Sequence, residues 1–195
     1  MRIIVVTRPE FSASEADALR LLLDEGADRI HLRKPGSSEH DMRRLIEALP
    51  PETYPLLSLH DHLALAAEYG IGGVHLNSRN PLPPEGFRGL VSRSCHSTAE
   101  AAACTGEEYL FLSPVFDSIS KHGYRAGFSA DELRAAAACG AIDTRTIALG
   151  GVTPERLPLL RETGFGGAAL LGYLWHEASP ELLRRRMAEI RRFKM

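Results

Sequence analysis

Sulfur is scarce in this chain and long apolar runs are missing. Its three cysteines, Cys95, Cys104 and Cys139, are scattered and show no C-x-x-C spacing. A disulfide framework and a zinc site are thereby excluded as expectations. The opening run Ile3–Val6 is cut off by Arg8-Pro9-Glu10, too early for a signal peptide or a spanning helix. No G-x-G-x-x-G follows it, so the dinucleotide fingerprint is absent. Charge of one sign is missing too, with 23 Lys and Arg against 25 Asp and Glu. That balance argues against nucleic acid or an anionic membrane as partner. The basic tail, Arg184-Arg185-Arg186 through Arg191-Arg192 and Lys194, complements the dipole at a helix end. The expected setting is a reducing cytoplasm.

What is present is alternation. Short apolar runs at Arg2–Thr7, Arg29–Arg33, Tyr54–Leu59, Gly73–Leu76, Leu90–Ser94, Tyr109–Ser113, Thr144–Leu149 and Gly167–Leu171 read as strands. Between them stand helix starts. Ser12 to Glu15, Ser97 to Glu100 and Ser129 to Glu132 have capping-box spacing, and Ser38 to Asp41 its acidic variant. Thr153-Pro154 and Ser179-Pro180 put a cap residue before a proline. Met42, Leu45, Ile46 and Leu49 mark one helix face, and Gly26, Gly70, Gly106, Gly140 and Gly164 stand at expected helix ends. Eight strand–helix units in 195 residues predict an α/β fold: a (β/α)8 TIM barrel, one compact domain over residues 1–195. An open doubly wound sheet is the alternative.

In such a barrel the C-terminal strand ends converge on one face, where sites form. Those ends carry Thr7 and Arg8, then His31, Arg33 and Lys34, then His60 and Asp61. His75, Asn77 and Asn80 follow, with Ser94 and His96 after the fifth strand. The loop after the sixth holds Ser118, Ser120 and Lys121, two hydroxyls and an ammonium that suit either an anion cradle or an ordinary polar loop. Gly150-Gly151 and Gly172, at the last two strands, are placed for phosphate binding by backbone amides or for packing. Arg33, Lys34 and Lys121 form a cationic group opposite. Asp61 suits Mg2+ assisted by Asn80, or alternatively a helix N-cap.

These same segments resemble the thiamine phosphate synthase and thiazole tautomerase superfamily over nearly the whole chain. Ile30-His-Leu-Arg-Lys-Pro35 is similar to its Q-L-R-E-K, Leu59-His-Asp-His62 to its N-D pair, and Gly73–Asn80 to G-V-H-L-G-Q-x-D. Ser94-Cys-His96 matches S-x-H, Ser113–Lys121 matches G-P-x-F-P-T-x-T-K, and Ala148–Val152 matches A-x-G-G-I. The resemblance implies a barrel that joins a pyrimidine diphosphate to a thiazole phosphate and releases pyrophosphate. It implies a thiazole phosphate site at Ser118, Ser120, Gly151, Leu171 and Gly172. His31, Arg33, His60, Ser94 and Lys121 would face the pyrimidine diphosphate, with Mg2+ on Asp61. Arg33, Lys121 and Ser120 are the expected catalytic residues.

The departures are specific. Glutamine becomes His31, glutamate Lys34, lysine Pro35 and asparagine His60, and the second metal aspartate becomes Asn80. His31 resembles the tautomerase branch, but that branch's catalytic histidine falls at Pro114. A tautomerase would therefore need His31 or His60 as acid–base. A barrel that binds thiamine phosphates without turnover is a third reading, and another phosphate-barrel isomerase a fourth. Oligomeric state is left open, a homodimer being one option.

Overall fold

The computed structural model describes residues 1–117 and 127–194. Eight parallel strands close into a barrel in sequence order. They are β1 (Arg2–Val6), β2 (Arg29–Leu32), β3 (Leu57–Leu59), β4 (Gly73–Leu76), β5 (Leu90–Cys95), β6 (Tyr109–Leu112), β7 (Thr146–Leu149) and β8 (Gly167–Leu170). Closure comes from β1 against β8, where Arg2 pairs with Gly167 and Val5 with Leu170. Helices α1 (Glu15–Asp24), α2 (Glu39–Glu47), α3 (Leu65–Tyr69), α4 (Thr98–Ala103), α5 (Ala130–Ala138), α6 (Leu157–Glu162), α7 (Gly172–Trp175) and α8 (Pro180–Arg191) complete it.

Period-two alternation decides which side chains fill the barrel. Ile3, Val5, Ile30, Leu32, Leu57, Leu59, Val74 and Leu76 point outward and join the helices in the main core. Ile4, Val6, Tyr109, Phe111, Ile147 and Ala169 turn inward and form a separate cluster. The apolar face of α2, read from Met42, Leu45 and Ile46, is buried, as is Leu49 beyond its end.

Most helix starts form as the caps require. Ser38, Ser97 and Ser129 accept from the backbone N–H three residues on, and Ser129 with Glu132 makes the full reciprocal box. Ser12 does not cap α1 with its side chain; Ser14 occupies the cap position, without a side-chain bond. The carboxylate of Glu15, the expected box partner, is bonded to Lys34 instead.

Two expectations change. Residues expected to begin β3 instead form a 3-10 turn at Pro51–Leu56, because Pro51 and Pro55 favour that path. Strand β4 runs to β5 through residues 77–89 without a helix, so the alternation is broken once. Pro81, Pro83 and Pro84 there remove helix donors and clash with a preceding turn.

The first and last units are tied at the C-terminal end of the barrel. Trp175 Nε1 donates to the Val6 carbonyl at 2.8 Å inside the protein. Trp175→Phe should leave that carbonyl unpaired and cost about 1–2 kcal/mol. Thermal unfolding of the two proteins checks it; equal midpoints would remove the bond's importance.

Candidate active site at the C-terminal strand ends

The site begins below the surface. His31, on β2, is fully buried inside the barrel, and both its ring nitrogens are engaged. Nδ1 lies 2.8 Å from His60 Nε2, and Nε2 lies 2.6 Å from the Tyr109 hydroxyl. His75 lies beside them, with Nδ1 2.8 Å from Ser92 Oγ and Nε2 2.8 Å from Ser94 Oγ. The rings of His60 and His75 stack at 4.1 Å, and His31 stacks on Phe111 at 4.7 Å.

All three imidazoles are held neutral. Burial pushes His31 well below its ordinary value, with His75 and Arg29 adding to the effect. Burial does the same to His60, helped by His75, His31, Arg33 and Arg79. For His75, burial followed by Arg93 and Arg33 lowers the value to about 3. A nitrogen from each ring lies within 4.8 Å of the others, a spacing that also suits a metal ion. The hydrogen bonds decide otherwise: both nitrogens of His31 and of His75 already have partners, and two of the rings are stacked rather than convergent.

Above this layer lies a polar rim. Asp61, expected as a metal ligand or a helix cap, is not a cap, because α3 starts only at Leu65 with Ala64 before it. Its Oδ1 accepts two bonds from Arg79, from Nε at 3.0 Å and Nη2 at 2.9 Å. Its Oδ2 is sealed from solvent with no partner among the described residues. Asn80 turns its amide to the His60 carbonyl at 2.9 Å, and Asn77 donates to the same oxygen at 3.1 Å. Arg33, half-buried at the end of β2, is fixed by Thr7, whose Oγ1 accepts from its N–H at 2.9 Å.

A Mg2+ ion takes oxygen ligands in near-octahedral array and keeps several waters. The donors here do not fit that demand. Asp61 is already bonded by a guanidinium on one oxygen, and its other oxygen is closed to a hydrated ion. Asn80 brings no charge and uses its amide on a carbonyl. The expected pair of metal ligands is therefore engaged separately: Asp61 accepts from Arg79, and Asn80 donates to the His60 carbonyl.

Lys34 is the second correction. Expected on the cationic face, it is instead fully buried. Its Nζ donates to Glu15 Oε1 and Oε2 at 2.6 and 2.7 Å, and to the carbonyls of Arg8 and Glu10. Phe11 covers it, with the ring centroid 4.6 Å away. Its charge is spent inside the fold, so it has no donor left for a ligand. His31 is likewise placed beneath His60 rather than at the surface, which removes it as an acid–base acting directly on a substrate.

Gly150 and Gly151 have positive φ, +97° and +61°. A Cβ on Gly151 would meet the Asp117 carbonyl at 2.2 Å, and one on Gly150 would lie 2.9 Å from the Pro114 Cα. Close packing against the loop after β6 thus accounts for both glycines, whatever their amides bind. Leu171 is half-buried, and Gly172 opens α7. Ser118, Ser120 and Lys121 lie outside the described residues. Arg79, Tyr109 and Ser92 are not singled out by sequence, and Glu15 is read there only as a cap partner. Arg79 occupies the unspecified position of G-V-H-L-G-Q-x-D, and its one signal is an opposite charge facing Asp61 across neighbouring strand ends.

Residues 3–174 match the family described as thiamine monophosphate synthase. The thiamine-phosphate synthase of Salinibacter ruber is 32% identical over 180 residues, covering 86% of this chain and 78% of that protein. That of Methanoculleus marisnigri is 32% identical over 195 residues, covering 90% and 89%. A crystal structure of thiamine phosphate pyrophosphorylase from Bacteroides thetaiotaomicron superposes with a TM-score of 0.90 at 32% identity, over 100% of this chain and 98% of that one. No helix among the described residues is long and apolar enough to cross a membrane.

Proposed function

Since the chain belongs to the thiamine monophosphate synthase family of thiamine biosynthesis, we propose that it joins a hydroxymethylpyrimidine diphosphate to a thiazole phosphate. The bond between the pyrimidine methylene carbon and the diphosphate oxygen breaks, and its electron pair leaves with pyrophosphate. The lone pair of the thiazole nitrogen closes the new C–N bond. No proton must move and no protein nucleophile is needed. What supports the reading is the order of the family motifs around the barrel: Arg33, Asp61, Ser94 and Gly150 fall at or near the C-terminal ends of β2, β3, β5 and β7.

The leaving diphosphate is the group that needs stabilising, because charge develops there in the transition state. Arg33 is the described residue we assign to it, with Lys121 and Ser120 assigned by sequence alone. His60 and Ser94 border the pyrimidine end, and their orientation comes from His31 and His75 beneath. Gly150, Gly151, Leu171 and Gly172 are assigned to the thiazole phosphate, with Ser118 assigned by sequence alone. Holding both substrates at one face supplies much of the acceleration through proximity. Family members use Mg2+, which would supply charge neutralisation at the diphosphate; Asp61 is its carboxylate candidate among the described residues, and the donor set does not fit it. Phosphorylated small molecules are the partners, and the cytoplasm is the expected site of action.

The test is product formation. Purified protein given both substrates should release thiamine phosphate and pyrophosphate in equal amounts. Arg33→Ala should lower kcat/KM on the order of 100-fold, the size expected when a preorganised charge is removed, with the melting temperature kept. Folded protein that makes no product would reject the proposal.

A further inference from the structure

We propose that Arg79 is a built-in cation of the diphosphate site, bonded to the carboxylate that the resemblance assigns to the metal, so that this chain binds a diphosphate without metal. The inference rests on the synthase reading for the identity of the ligand. It starts from the disagreement between the donor set and Mg2+. The second aspartate of the family pattern is Asn80, and the residue before it is an arginine. Losing one carboxylate weakens a metal site, and the adjoining guanidinium occupies what remains of it.

The geometry holds that arginine rather than leaving it to wander. Asn77 Oδ1 accepts from the backbone N–H of Arg79 at 2.9 Å and of Asn80 at 3.2 Å, closing a tight turn. The amides of Asn77 and Asn80 both anchor this turn to the His60 carbonyl at the end of β3. Arg79 leaves the turn and meets Asp61 through Nε and Nη2. Prolines at 81, 83 and 84 then keep the following segment from winding into a helix that would draw the turn away.

A guanidinium has five N–H donors in a planar fork. Two are used on Asp61, and no other acceptor among the described residues takes the rest. The side chain is 45% exposed while that of Asp61 is 12% exposed, so the free donors are available at the rim. Asp61 thus acts as a positioning residue that orients Arg79. Oδ2 is buried, so the hydrogen bonds of this carboxylate among the described residues all go to Arg79. The field of Arg79 reaches His60, as does that of Arg33. Arg33, just after β2, and Arg79, in the turn after β4, are thus two cations near the same histidine at the end of β3.

Inorganic pyrophosphate, titrated calorimetrically into the full chain in chelator and again in Mg2+, separates the possibilities. The wild type should bind in chelator, with Mg2+ changing Kd little. Arg79→Ala should weaken that metal-free binding about tenfold or more, the loss of a charge-assisted hydrogen-bond pair. Arg79→Lys should fall between, since it keeps charge but not the fork. Mn2+ followed by its electron paramagnetic resonance should stay free with the wild type and bind more tightly to Arg79→Ala. Pyrophosphate bound by the wild type only with metal, unchanged metal-free binding in Arg79→Ala, or Mn2+ held by the wild type and lost in Asp61→Ala would each overturn the inference. If metal-free, Arg79-dependent binding is seen but no thiamine phosphate forms, this inference stands and the synthase reading falls.

Discussion

Acid should unfold this protein early, and the histidine cluster should be the reason. Each of His31, His60 and His75 has a folded-state pKa below the ordinary 6.5. Below that pH the unfolded chain binds protons that the folded one refuses, so stability falls as pH drops. The contribution is whole above about 6.5 and, for His75, is lost progressively down to about 3. Each imidazole accounts for about 1.4 kcal/mol per pH unit within its window. Three acting together approach about 4 kcal/mol per unit, against a total stability of roughly 5–15 kcal/mol for a typical domain.

Ellipticity followed from pH 7 downward should therefore collapse in a narrow interval at about pH 4–5. Proton uptake measured across the transition should approach one per imidazole, beyond that of the carboxylates. His31→Gln with His60→Asn puts back the amides of the family pattern, which cannot titrate. That double variant should unfold at distinctly lower pH and with fewer protons taken up. A transition that does not move would assign acid lability to the carboxylates instead.

The other large effect lies in the buried pair of Lys34 and Glu15. Removing one partner leaves a charge in the interior without its counter-ion, which typically costs about 3–5 kcal/mol. Glu15→Ala is expected to lower the melting temperature on the order of 10 °C for a chain of this length. Burial already lowers the Lys34 pKa, and Glu15 opposes that shift, so the lysine in Glu15→Ala should lose its proton more readily. The variant should therefore regain part of its stability at alkaline pH, where a neutral amine is less costly to bury.

Removing both charges, as Glu15→Leu with Lys34→Met, should cost less than either single change. Recovery will be incomplete, because the carbonyls of Arg8 and Glu10 lose a donor. The double-mutant cycle by thermal unfolding reads this directly. Additive losses would mean that the pair does not act as a unit. Because Lys34 joins the loop after β2 to the segment before α1, these variants should also loosen Arg33, and synthase activity should fall with stability.

Local signals announced most of the barrel. Capping serines at 38, 97 and 129, the face of Met42, Leu45 and Ile46, and period-two strands act over a few residues, so the sequence displays them. Where expectation and structure part, a longer-range partner is responsible. Glu15, the expected capping-box partner of Ser12, instead answers Lys34, which is 19 positions away. The helix expected between β4 and β5 was legible as absent, since three prolines stand there, but periodic alternation outweighed them.

The sequence alone determined the eight parallel strands, the polar character of their C-terminal ends and the family, because alternation and ordered motifs are properties of the chain itself. Tertiary structure alone decided what each polar group does. Lys34 and Arg79 are both cations near strand ends in the sequence, yet one is consumed by a buried carboxylate and the other stays at the rim. His31, His60 and His75 read as separate site residues, but strand register stacks them into one neutral layer. The physical reason is that charge, protonation and availability depend on burial and partners, and these come from strands far apart in the chain.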